Sequence, residues 1–457
     1  MTASRRRFLA SAGAFAFLPS RVLGRSGALT PNEKLNLAFI GIGGRGSENL
    51  RELAAHNVVA LCDVDWRPIH DPDWPRAAEV ASRYPGAKRF TDFRRMLEEM
   101  DRSIDAVVIS TPDHTHAVAA IAAMDLGKHV YCEKPLAHSV GEVRAMMRKA
   151  RESKVATQMG NQGHSSEDIR LIVEWIRDGA IGTVKEVHIA GRSAQAIGRE
   201  SKRKLIEERH PVPQGFNWDL WLGPRPYRPF HPIYHPVEWR NWLAFGGGTI
   251  ADFTCHYLDA VYWALDLRLP AAISARTSAT YDPRENTETF PDSSTVRYEF
   301  SFRGGRLPVT WYADQELPRP EGWDPEFTLP EAGGIVIGSG GALVFGFVNR
   351  SRPTKATPGL VRLYPEELDR SYKRPPRAIP RTRGHWNDWI ESSKTGKPAG
   401  SHFDYGGPLT EVALLGNIAI RRKGRLLRFD PERMRFTNDE QANKLLQPPP
   451  YREGWSP

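Results

Sequence analysis

Gly41-Ile42-Gly43-Gly44-Arg45-Gly46 follows a mostly apolar run, Leu35 to Ile40, in which Asn36 is the one polar residue, and opens a stretch, Ser47 to Ala55, that places Leu50, Leu53 and Ala54 on one helical face. Glycines in this order suit a phosphate chain. The first permits a tight turn, the second lets the backbone approach a pyrophosphate, and the third lets the helix pack on the strand. The helix N-terminus then presents its free N–H groups to the phosphates. Asp63 closes the next apolar run, Val58 to Cys62, where a carboxylate can accept hydrogen bonds from an adenosine ribose. Two later loops, Thr111-Pro112-Asp113-His114-Thr115-His116 and Glu133-Lys134-Pro135, carry more polar side chains than a connection needs. Further on, Asp252 and His256 stand four apart in a helical pattern, so that a carboxylate one turn before an imidazole can orient it and stabilise its protonated form.

The elements that must position these groups alternate between strand and helix. Ala106 to Ser110, His129 to Cys132 and Val155 to Met159 read as buried strands, with helices at Thr115 to Leu126 and Val140 to Arg151 between them. Such alternation implies a doubly wound parallel sheet, with the polar loops gathered at the carboxyl ends of its strands. Beyond Gly160 one helix, Asp168 to Arg177, precedes a change of pattern. Val184 to Ala190, Ala272 to Thr280, Thr295 to Phe302, Leu307 to Tyr312 and Ile335 to Phe345 are spaced as the strands of an antiparallel sheet. Residues 251 to 265 read as one helix, and further helices are expected at Trp386 to Ser393 and Leu409 to Ile420, the last returning to pack near the first domain.

Together the G-x-G-x-x-G turn, the S-T-P-x-x-x-H loop ending at His116, the E-K-P of Glu133 to Pro135 and the D-x-x-x-H of Asp252 and His256 resemble the Gfo/Idh/MocA oxidoreductases over residues 35 to 430. The resemblance implies an α/β protein: an N-terminal Rossmann domain and a C-terminal α/β domain on an open, mostly antiparallel sheet. It also implies a sugar or polyol held between them, with Lys134 and His256 as catalytic residues and Asp252 in their network. The expected nucleotide contacts are Gly41, Gly43, Arg45, Gly46, Asp63, Thr111, Pro112, His116, Glu133, Lys134 and Gln162. The cofactor is expected to be tightly bound NAD, because Asp63 repels a 2′-phosphate, although Arg45 and Arg67 could hold one in NADP. No metal is expected.

The domain boundaries follow. Residues 1–34 form a signal and linker, 35–160 the nucleotide domain, 161–430 the substrate domain and 431–457 an extended tail. Within the second domain, Ser193 to Gly248 is an insertion rich in Trp, Tyr, Pro and Arg. Trp218 and Trp242 are read as stacking platforms for a sugar ring, with Arg240, Asp252 and His256 completing the substrate contacts. The same aromatics would equally suit a lid or a subunit contact.

Composition bounds the rest. With 40% hydrophobic and 26% charged residues the chain is globular. Four of the nine net positive charges belong to Arg5, Arg6, Arg7 and Arg21, and the remainder is too thinly spread for a nucleic-acid surface. Arg5-Arg6-Arg7 followed by the small apolar stretch Ala10 to Leu18 resembles a twin-arginine signal, so the protein is expected to use that export machinery and reside in the periplasm or beyond it. No stable membrane insertion is expected, and a homo-oligomer is. Cys62, Cys132 and Cys255 lack any C-x-x-C spacing and read as small buried hydrophobes. Three functions suit the pattern: hydride transfer at a carbinol carbon, glycoside cleavage or elimination by transiently borrowed hydride, and non-catalytic sugar or nucleotide sensing.

Overall fold

The computed structural model describes residues 29–193, 198–346 and 360–455; the arginine-rich segment read as an export signal lies outside them. Six strands form the first sheet: β1 (Asn36–Ile40), β2 (Asn57–Cys62), β3 (Lys88–Phe90), β4 (Ala106–Ile109), β5 (His129–Glu133) and β6 (Thr157–Gly160). Their order is β3-β2-β1-β4-β5-β6 and every pairing is parallel. Side chains of a strand alternate between faces, and here both faces are apolar. Ala38 and Ile40 enter one core while Leu37 and Phe39 enter the other. The helix His385–Thr395 covers the second face with Trp386, Trp389 and Ile390, so a segment from the far end of the chain completes the nucleotide domain.

Nine strands form the second sheet: β7 (Val184–Gly191), β8 (Ala272–Thr277), β9 (Ser294–Phe302), β10 (Gly305–Ala313), β11 (Gly333–Gly338), β12 (Ala342–Gly346), β13 (Val361–Tyr364), β14 (Leu427–Asp430) and β15 (Arg435–Phe436). Their order is β13-β12-β11-β7-β10-β9-β8-β14-β15, antiparallel except for β7 beside β10. The segment expected as a single strand, Ile335 to Phe345, is a hairpin. Ser339, Gly340 and Gly341 turn the chain, and the Gly338 N–H donates to the Gly341 carbonyl at 2.8 Å. The helix expected over 251 to 265 is two, Gly248–Tyr257 and Asp259–Ala264, with Asp252 and His256 together on the first.

The helix Phe403–Arg421 joins the two halves. Its glycines bring it close to both: a Cβ on Gly407 would meet Met147 of the first domain at 2.4 Å, and one on Gly416 would meet the Tyr298 hydroxyl of β9 at 2.0 Å. The tail expected to be extended instead contributes β15 and the helix Glu440–Lys444, which Asp439 caps by accepting the Ala442 N–H at 3.0 Å. Phe436, Ala442 and Leu446 supply the apolar contacts that hold it on the core. No helix among the described residues is long and apolar enough to cross a membrane.

Candidate active site

A cleft runs along the carboxyl ends of the parallel strands and on to the helix Gly248–Tyr257 of the second domain. At one end the glycine turn is packed so closely that side chains have no room. A Cβ on Gly41 would lie 2.8 Å from the Ser110 carbonyl oxygen, and one on Gly46 only 2.0 Å from that of Gly41. Gly41 also has φ 77°, a left-handed conformation that glycine adopts without strain. The helix Arg45–Glu52 begins with no side-chain cap, leaving its N-terminus to a ligand. Asp63 is anchored by the Ile42 and Asp65 N–H groups, donated to its two oxygens at 2.9 and 3.0 Å. Burial pushes its carboxyl up against those two bonds, which pull it down. A bare cradle, an uncapped helix and a fixed carboxylate fit a dinucleotide.

At the other end charges converge from both domains. Lys134, at the end of β5, donates to the Asp252 carboxylate and, at 2.9 Å, to the Asp252 carbonyl oxygen. The other carboxylate oxygen lies 3.6 Å from Nε of Arg240. Arg240 in turn lies over the Trp239 ring, 4.3 Å from its centroid, and over the Trp74 ring at 5.9 Å. Burial favours the neutral acid at Asp252, but Lys134 and Arg240 outweigh it and hold the carboxyl well below its ordinary range. Burial and then the Lys134 charge push His256 well down, so it is a neutral imidazole at physiological pH. This corrects the expectation that Asp252 stabilises a protonated His256: the carboxylate faces Lys134 and Arg240.

Gly41, Gly43, Arg45, Asp63, Thr111, Pro112, Glu133, Lys134, Arg240, Asp252 and His256 all line the cleft. The other expected site residues do not. Gly46 packs beneath the turn. His116 is buried behind the loop, its ring nitrogens 2.9 and 2.8 Å from the carbonyl oxygens of Pro135 and Thr111, so it fixes two cleft loops to each other. Gln162 is buried and donates to Tyr131 and Glu133 at 2.9 and 2.8 Å, positioning the glutamate. Trp218 and Trp242 are the core of the insertion rather than platforms: Trp218 stacks on Trp221 at 4.7 Å, and Trp242 meets Tyr234 edge-on at 4.8 Å. A long insertion needs its own apolar centre, and these rings supply it. Trp221 and Trp239 are the insertion's tryptophans that reach the cleft.

Several cleft residues escaped the sequence reading. Trp74 and Arg76 lie in a segment that folds over the glycine turn, where Gly44 donates its N–H to the Pro75 carbonyl at 2.8 Å. The Asp-Trp-Pro run at 73–75 was the available signal. Arg67, expected to be able to reach a 2′-phosphate, is committed instead to Asp65 through two bonds of 2.7 and 2.8 Å. Arg45 pairs with Glu48. The cysteines are buried and unpaired. Glu208, His210 and His231 bring ligand atoms within 4.8 Å of one another, but Nδ1 of His231 accepts the Ile233 N–H at 3.1 Å. The neutral ring therefore carries its proton on Nε2, the atom that a cation would need.

Asp113 is the most perturbed of the overlooked groups. It lines the cleft, is 5% exposed, and accepts the Gly247 N–H at 3.2 Å. Burial first, and then the Asp252 charge, push its carboxyl up to about 8. An ordinary aspartate ionises near ~3.9 in the unfolded chain, so this group's contribution to stability is full below that pH and is lost as pH rises through about 8. Asp113→Asn keeps the acceptor and removes the titration. Its melting temperature relative to the unmodified protein is expected to climb between pH 5 and pH 8 and then level off. A difference independent of pH across thermal melts would show that Asp113 ionises normally.

Residues 35–161 match the oxidoreductase family's NAD-binding Rossmann fold, and residues 166–299 match its C-terminal α/β domain. The chain belongs to the Gfo/Idh/MocA oxidoreductase family. Among curated family relatives, levoglucosan dehydrogenase of Pseudarthrobacter phenanthrenivorans is 35% identical over 108 residues, 24% of this chain and 27% of that protein. Glycosyl hydrolase family 109 protein 1 of Shewanella sp. is 31% identical over 185 residues, 38% of this chain and 39% of that protein. The chain thus spans less than half the length of either. The crystal structure of myo-inositol 2-dehydrogenase from Lactobacillus plantarum superposes with a TM-score of 0.55 at 18% identity, covering 87% of this chain and 100% of that one, a likeness of fold.

Proposed function

We propose that this Gfo/Idh/MocA protein transfers hydride between NAD and a carbinol carbon of a sugar, glycoside or cyclic polyol. The observation that carries the reading is the meeting of Lys134, Asp252, Arg240 and a neutral His256 at one end of a cleft whose other end fits a dinucleotide. Bound NAD supplies the hydride acceptor. With Lys134 entering the step as a neutral amine, its own proton given up to solvent beforehand, the substrate C–H bond would break with its electron pair passing to the nicotinamide while the hydroxyl proton passes to the lysine nitrogen and the C=O bond forms. In reduction the same lysine returns the proton. A histidine that stays neutral cannot store this proton, so His256 orients the hydroxyl and Lys134 moves its proton. Arg240 shares the charge of Asp252 and loosens that carboxylate's hold on the lysine. NAD is favoured over NADP because Asp63 occupies the end of β2 and Arg67 is tied to Asp65.

A second reading has its own support in the glycosyl hydrolase relative: the hydride is borrowed, the oxidised carbon acidifies its neighbour, a glycosidic group leaves, and the hydride returns. One experiment tests both. The purified protein with NAD is offered a panel of sugars, glycosides and inositols while nicotinamide absorbance and glycoside cleavage are followed. Reduction of NAD by a member of the panel is the expected result. Cleavage without net reduction would replace the first reading with the second, and neither signal across the panel would remove both.

A further inference from the structure

The chain's last described residues return to the cleft. Trp455 lines it, beside Phe93 and Thr115, although it stands more than 300 residues from either in sequence. Asp63 donates its backbone N–H to the Phe90 carbonyl at 3.1 Å, so the strand end that carries Asp63 adjoins the Thr91 to Phe93 segment on which Trp455 packs. The Phe93 and Trp455 ring centroids are 6.1 Å apart, and the Arg94 guanidinium lies over the indole at 4.1 Å. The ring is 6% exposed. It therefore walls the cleft beside the strand end that carries Asp63.

This placement is built rather than incidental. Arg94 donates to the Gly454 carbonyl at 2.8 Å. Arg452 grips the insertion, donating to the Asp219 carboxylate at 2.6 Å and to the Gly223 carbonyl at 2.9 and 2.7 Å. Tyr451 donates to Glu142 of the nucleotide domain at 3.0 Å. Gly223 has φ 54°, and a Cβ there would press on Thr115 at 2.8 Å and approach the Trp455 ring at 3.7 Å. The tail thus binds the insertion to the nucleotide domain across one end of the cleft, with an aromatic ring at the crossing.

We propose that the C-terminal tail is part of the nucleotide site, Trp455 forming a wall against the adenosine half of the dinucleotide. The inference rests on the NAD reading above. An aromatic wall against a purine is expected to contribute about tenfold in affinity, roughly 1.4 kcal/mol. The tail also blocks the route by which the adenosine end would lift out, and so slows release.

The test measures binding to the full chain of NAD, of AMP as the adenosine half, and of nicotinamide mononucleotide as the other half. Trp455→Ala is expected to weaken NAD and AMP about tenfold and to leave nicotinamide mononucleotide within twofold, while Trp455→Phe restores most of the AMP affinity. Arg452→Ala, which frees the tail and leaves the ring intact, is expected to speed NAD release. Equal AMP affinity in Trp455→Ala and the unmodified chain would overturn the inference while leaving the NAD reading intact. So would equal weakening of both halves, the mark of a general loss of structure. Failure of the unmodified chain to bind NAD at all would overturn both.

Discussion

Lys134→Ala is expected to lower turnover by about 10² to 10⁴ while changing NAD affinity much less, because a group that moves the hydroxyl proton acts in the transition state. The structure sharpens this expectation. Lys134 points its side-chain nitrogen at Asp252 of the second domain, which holds it there by a carbonyl and a carboxylate oxygen. A lysine that only held the cofactor would lose affinity together with rate, and saturating NAD would then restore turnover. His256→Ala is expected to raise KM for the sugar as well as lower turnover, since a neutral imidazole positions the hydroxyl without holding the proton. Steady-state kinetics at saturating NAD separate these outcomes. Near-normal turnover in both variants would dismantle the proposed chemistry and leave a nucleotide-binding fold.

What could be read in the sequence was local. The glycine turn, the strand runs and the polar loops after them each sit within about ten residues, and backbone geometry alone decides what they form. The doubly wound sheet and the gathering of Asp63, Thr111 and Lys134 at its carboxyl edge follow from that alternation. The aromatic insertion was not legible in the same way. Tryptophans that face a sugar and tryptophans that fill a small core have the same composition and spacing. The difference lies in which neighbours close over them, and Phe216, Phe230 and Phe245 close over Trp218 and Trp242. His116 fits a cofactor-loop motif, yet its ring is claimed by two backbone carbonyls, one of them 19 residues away. Trp455 and Asp113 illustrate the same limit. One reaches the cleft only because the tail crosses the nucleotide domain, and the other is perturbed because the fold buries it and then brings the Asp252 charge to it from the second domain.

The Lys134–Asp252 contact crosses the junction between the domains, which makes Asp252 a stability residue as well as a site residue. Its side chain is 17% exposed and that of Lys134 12%, so little water reaches the pair. Asp252→Ala strands two cations, Lys134 and Arg240, and is expected to cost about 3 kcal/mol, since breaking a mostly buried pair from one side leaves a desolvated charge uncompensated. Asp252→Asn keeps a hydrogen-bond acceptor for Lys134 and is expected to lose less in both melting temperature and turnover. Adding Lys134→Met to Asp252→Leu removes the pair and leaves Arg240 as the one stranded cation, and is expected to recover part of the stability lost by Asp252→Ala without recovering activity. The pH dependence distinguishes this effect from that of Asp113. A carboxyl held below its ordinary range contributes stability above ~3.9 that is lost only as pH falls through its depressed value. In an Asp113→Asn background, which removes the neighbouring titration that the Asp252 charge perturbs, the deficit of Asp252→Asn should therefore stay constant from pH 5 to pH 9, the interval over which the advantage of Asp113→Asn alone grows and levels off. Thermal melts of the single and the double variant across that interval measure both slopes. An Asp252→Ala protein as stable as the unmodified one would mean that Lys134 and Arg240 do not depend on this carboxylate, and that the two domains meet at the cleft without an ionic tie.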